Sequence, residues 1–262
     1  MFIKLLSLPA LPLTSLRSAI AALVFLPMLG DLRRIRWRPE PAFLGLMISF
    51  TAMSLTFVMA TKWTTAANAI ALQSTAPFWI FILTCLIARR VLWENLPPVL
   101  LILAGLGVLL IEPGDGTTVL GNLAGAASGL AFALTSFFFS RVHRPGPEVM
   151  FFINAFVAGV LFALQPSHFD LGGIDTKSWL SLIYLGAIQT GMGHLCHYLS
   201  LRQITVSQAS ILALLEPLLN PVWVFLAVAE VPSTHGFVGG GLVLSGIAFD
   251  SWRRLKHPRF TG

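Results

Sequence analysis

Charge is what this 262-residue sequence has least of. Asp, Glu, Lys and Arg make up 11% of it, where a water-facing domain carries about 25%. The two cysteines, Cys85 and Cys196, form neither a CxxC pair nor a CxxCH haem attachment, so a disulfide framework finds no support. The glycine-rich Lys-Ser/Thr loop that cradles nucleotide phosphates is missing, as are the HExxH helix of zinc hydrolases and a nucleophile elbow. Metal and cofactor chemistry therefore has no motif to rest on. Long polar stretches are missing too, and no connection has room for a separate soluble domain.

What fills the chain is apolar: 56% of residues are hydrophobic and the net charge is +6. Nine apolar segments stand out, at 12–29, 41–61, 64–88, 97–112, 119–140, 147–164, 178–200, 206–229 and 234–252. Each approaches the roughly 20 residues that a helix needs to cross a bilayer. Lipid offers no partner to an unpaired backbone amide, so such runs close on themselves as helices; a β-barrel would alternate in hydropathy, and these runs do not. The expected fold is an all-α polytopic membrane protein of about nine helices.

The basic residues lie between the runs and not on one stripe with interleaved aromatics, which argues against a nucleic-acid partner. Counted in alternate connections, thirteen Lys and Arg fall on one side, from Arg33 through Arg89, Arg141 and Arg202 to the tail at Arg259; Lys4, Lys62 and Lys177 fall on the other. Basic loops stay inside, so the C-terminus is expected in the cytoplasm and the protein in the inner, cytoplasmic membrane. The same count puts Met1 outside, as if most of a first helix were missing.

Shifting the chain by 140 residues lays Lys62, Thr65, Asn68, Ala69, Leu72 and Pro77 on Arg202, Thr205, Gln208, Ala209, Leu212 and Pro217. The copies start five spans apart, an odd number, and so run through the membrane in opposite directions. Inverted repeats of this kind let two halves exchange conformations, giving alternating access. The expected division is 1–118 and 119–262.

Ala60 to Pro77 followed by Glu94, echoed by Ser200 to Pro217 followed by Glu230, resembles the EamA-type branch of the drug/metabolite transporter superfamily. Leu215-Glu216-Pro217 is similar to a step in that family's ninth helix. The resemblance implies two five-helix halves and a small-molecule solute, and makes an enzyme the lesser expectation. It also implies ten helices where this chain supplies nine. A non-transporting or truncated membrane subunit is the alternative, and an intramembrane enzyme built on Glu216 and His197 a weaker one.

Polar groups at membrane depth are costly and face a cavity or a partner. Glu216, near the middle of its run, carries a cost of about 2.5–3.5 kcal/mol on insertion scales. Gln208 and Asn220, eight residues before and four after, share its helical face. Two roles fit: a cavity wall whose carboxylate exchanges a proton, and a buried contact to a neighbouring helix. Gln189 and His197 share a face of the 178–200 run. Asn68 and Ser49 are the repeat mates of Gln208 and Gln189, and Trp79 follows on a face similar to that of Asn68. Arg17, five residues into its run, either snorkels to the outer headgroups or meets a substrate carboxylate. Gly121, Gly125 and Gly129, spaced by four, form a close-packing stripe within the bundle or a homodimer seam.

Overall fold

A computed structural model describes residues 2–29, 40–90, 93, 96–111, 118–142, 147–165, 175–193, 195–196, 226 and 233–256. Among these residues every regular element is helical. The protein is an all-α polytopic membrane protein. Among the described residues five helical stretches are long and apolar enough to cross a membrane, at Ala10–Met28, Pro41–Trp63, Ala66–Ala88, Val119–Phe139 and Pro147–Leu164, and Leu96–Leu109 is a shorter apolar helix. The run at 206–229, with Gln208, Glu216 and Asn220, lies outside the described residues, as does His197.

In chain order the elements are α1 Phe2–Leu5, α2 Ala10–Phe25 with a 3-10 turn Leu26–Met28, α3 Pro41–Trp63, α4 Ala66–Gln73, α5 Ala76–Ala88 and α6 Leu96–Ile111. There follow α7 Val119–Phe139, α8 Pro147–Leu164, α9 Thr176–Ile183 leading into a π-helix Tyr184–Met192, and α10 Thr234–Lys256. Proline opens α3 and α8 and stands second in α5 and α6, positions where its missing N–H removes no helical bond. Asp175 caps α9 by accepting from the Ser178 amide at 3.3 Å, and hydrogen bonding to Ser178 holds its carboxyl below the usual carboxylate range.

Two departures from the hydropathy runs stand out. The 64–88 run is not one helix but two, interrupted at Ser74 and Thr75. Pro77 has no amide to donate and its ring crowds the carbonyl of Gln73, so the ladder cannot pass that point unbroken. Ser74 Oγ and Thr75 Oγ1 donate instead to the carbonyls of Ile70 (2.8 Å) and Leu72 (2.6 Å). The 178–200 run turns π-helical over nine residues, widening the backbone around Gly186 and Gly191.

The chain forms two compact units, each drawn from separate stretches of the sequence. One takes Phe2–Val58 and Leu134–Gln203. Its core gathers Phe25, Phe43, Leu46, Phe50, Ile153 and Val157. Within it α2 lies on α8, where Ser15 Oγ donates to the Ala158 carbonyl at 2.8 Å. The turn Leu26–Met28 also touches α8. Parallel pairing would carry that turn past Leu164, so the two helices run antiparallel. The π-helix runs parallel to α2, Gly186 meeting Arg17 and Ile20 while Gly191 meets Val24.

The other unit takes Met59–Ala133 and Ile204–Gly262, with a core of Leu72, Leu106, Leu109 and Val243. Here α6 and α10 cross at glycines. Gly246 lies against Ile102, Gly105 against Val243 and Gly239 against Leu109, so each step up one helix is a step down the other. The Gly121, Gly125 and Gly129 stripe of α7 is occupied within the chain, by Trp63 and Thr64, Leu72, and Thr75 in turn. That order makes α7 parallel to the α4–α5 span.

Candidate functional site

Polar side chains are buried inside both units. In the Met59–Ala133 unit, Thr65 caps α4, its hydroxyl accepting from the Asn68 amide at 3.2 Å; Asn68 itself is 1% exposed. Farther along α4, Gln73 Nε2 donates to Ser128 Oγ at 2.8 Å, tying α4 to α7 immediately before the helix break. Beyond the break, Trp79 carries a buried indole N–H that finds no acceptor among the described residues. Its ring stands edge-on to Phe78, with centroids 4.9 Å apart. A helix interrupted partway through a bilayer, with a free donor beside the break, is the kind of feature on which solute transporters bind polar groups.

A second buried chain ties three elements at one end of the same unit. Thr64 Oγ1 donates to Asn122 Oδ1 at 2.7 Å, and Asn122 Nδ2 donates to the Leu109 carbonyl at 2.8 Å. Both capacities of Asn122 are met inside the protein, which marks the chain as structural. Neither Asn122 nor Ser128 belongs to the set expected from sequence. An Asn inside an apolar run is the available signal for the first.

In the Phe2–Val58 unit the polar groups gather on α2 and α8. Thr14, Ser15, Arg17 and Ser18 are all buried, Arg17 at 7% exposure. Thr14 Oγ1 donates to the Ala10 carbonyl at 2.7 Å. Arg17 is covered by protein, and its Nε finds no partner among the described residues. On α8, one turn from Ala158, Asn154 is fully buried. Its Nδ2 donates to the Met150 carbonyl at 2.8 Å, which fixes the amide orientation and leaves Oδ1 without a partner among the described residues.

The remaining expected residues divide. Ser49 is buried but commits its hydroxyl to the Leu46 carbonyl at 3.2 Å. Gln189 sits in the π-helix and is exposed. Asn68 and Trp79 fall in one unit, Arg17, Ser49 and Gln189 in the other.

Comparison with known proteins adds a family. The model of the EamA-like transporter family matches residues 119–252. An uncharacterized transporter of Archaeoglobus fulgidus is 29% identical over 231 residues, covering 87% of this chain and 83% of the relative. A second from the same organism is 28% identical over 245 residues, covering 92% and 88%. A solved crystal structure superposes with a TM-score of 0.65 at 21% identity, covering 95% of this chain and 90% of the other, and so shares the fold.

Proposed function

The chain belongs to the EamA-like transporter family, and from that premise we propose that it exports a small metabolite or drug-like solute across the cytoplasmic membrane by alternating access. Sequence segments 1–118 and 119–262 are the two halves of the exchange, and the C-terminus is cytoplasmic.

One observation carries the mechanism. The 140-residue shift pairs α2 with α8 and α6 with α10, and these repeat mates meet each other antiparallel, one pair in each unit. Helices related by an in-plane pseudo-twofold axis meet their own mates head to tail in this manner. Such a pair can swap environments between an inward and an outward form at little cost, because either form presents equivalent contacts.

As solute-binding residues we propose Asn68, Trp79, Gln208, Glu216, Asn220, Arg17, Ser49, Gln189 and His197, polar or aromatic groups inside apolar runs. Glu216 exchanges the coupling proton, as the one ionisable group of the 206–229 run. The test is a Glu216→Gln variant in proteoliposomes. Proton movement coupled to solute should vanish while the protein still folds and solute counterflow persists. Unchanged proton coupling in the variant would make Glu216 a structural contact.

A further inference from the structure

We infer that Arg17 is the anchor for a carboxylate on the transported solute, so that the substrate is an organic anion; the inference rests on the transporter reading above. Arg17 stands seven residues into α2, roughly 10 Å along the helix from its start at the ordinary rise. It is buried, yet Nε–H has no acceptor among the described residues. The Nε edge of a guanidinium is one of the faces on which a carboxylate docks with a pair of parallel hydrogen bonds. Here that edge is enclosed and unused.

The described carboxylates of the same unit stand at helix ends. Glu40 immediately precedes α3, and Glu148 is the second residue of α8, roughly 15 Å of helical rise before Ala158, which bonds Ser15. Asp175 caps α9. The whole of α9, about 12 Å of rise, separates it from the π-helix, where Gly186 touches the Arg17 carbonyl. A cation left buried without a counter-charge is among the costliest features a fold can keep. Snorkelling would lower that cost only by exposing the head group, and this one is covered.

Symmetry does not account for the charge. Position 157, the repeat mate of Arg17, is Val157, fully buried in the core of the same unit. The charge belongs to one half only. Around it the backbone is unusual: the nine-residue π-helix packs along α2 from Arg17 to Val24, and π-bulges concentrate at functional sites. A solute carboxylate supplies the counter-charge that no described residue provides, and is held on the Nε edge.

The experiment uses the purified full chain in detergent and follows thermal unfolding with sodium acetate, sodium benzoate or sodium succinate. Benzamide, equal sodium chloride and sodium methylphosphonate serve as controls. At least one carboxylate should raise Tm saturably, with benzamide and chloride inert. Arg17→Gln should lose the shift, and Arg17→Lys, charged but without the planar edge, should need about tenfold more ligand. Should Arg17→Gln fail to fold, Arg17→Lys decides alone, and wild-type protection in it overturns the assignment. Protection by methylphosphonate alone overturns the carboxylate. If no anion protects while the same preparation exchanges a neutral solute across liposomes, the anion anchor falls and transport stands. If Arg17-dependent protection is seen but no solute crosses, transport falls and the anion site stands.

Discussion

At the scale of single residues, the buried polar groups separate into those whose hydrogen bonds are complete and those left with an unused donor or acceptor. Asn122 is complete, accepting from Thr64 and donating to Leu109. Asn122→Leu should strand the Thr64 hydroxyl and the Leu109 carbonyl. The expected loss is about 1–3 kcal/mol, seen as a lower Tm in detergent, with transport kinetics of the surviving fraction unchanged. Trp79 has the opposite signature. Trp79→Phe removes an indole N–H that has no acceptor among the described residues, so stability should hold while solute affinity falls about tenfold, checked by counterflow KM. Sequence exposes these residues unevenly. Arg17 is visible as a charge inside an apolar run, but whether it reaches the headgroups depends on what covers it, and α8, α9 and the π-helix, which pack on α2, are remote in sequence. Asn154 escapes notice because one Asn among Phe, Ile and Ala disturbs a hydropathy average very little. That its Oδ1 finds no partner among the described residues is a property of geometry alone.

At the scale of elements, hydropathy locates the helices well. The 41–61, 97–112, 119–140 and 147–164 runs lie within two residues of α3, α6, α7 and α8 at each end, because lipid dictates where apolar character starts and stops. It is blind to the backbone inside a run. The break at Ser74 and Thr75 and the π-helix at Tyr184–Met192 change which carbonyls are bonded without changing the mean apolarity. Pro77 is the single local sign of the first. Gly129 makes the break tight: a Cβ there would stand 2.6 Å from Thr75 Oγ1 and 2.7 Å from the Leu72 carbonyl oxygen. Gly129→Ala should cost about 1–3 kcal/mol, measured as Tm, and Thr75→Ala should relieve only part of it because the Leu72 oxygen is backbone. Pro77→Ala should leave stability equal or improved while slowing solute exchange, since the interruption is what keeps polar groups available near the middle of the span.

At the scale of the whole molecule, the chain forms two compact units, and in each a pair of helices matched by the 140-residue shift meets antiparallel. The inverted register is legible from the Lys62–Pro77 and Arg202–Pro217 echo together with an odd number of intervening spans. Which helices meet is not, because a repeat fixes equivalence and leaves the position of its axis open. At the basic end of α10, Lys256 Nζ lies 4.3 Å from the Trp252 ring centroid, a cation held over an aromatic face. That end belongs to the side on which most Lys and Arg gather, so a reporter fused after Gly262 should be active only in the cytoplasm. The most direct test of the central claim is release from sealed liposomes containing the purified chain. They are loaded with a defined mixture of amino acids, nucleobases, sugars and organic acids, and the contents are read by mass spectrometry. The account predicts that one chemical class, the organic acids, leaves saturably and faster when the same solute is present outside. Release of every component at the rate of protein-free liposomes would contradict it.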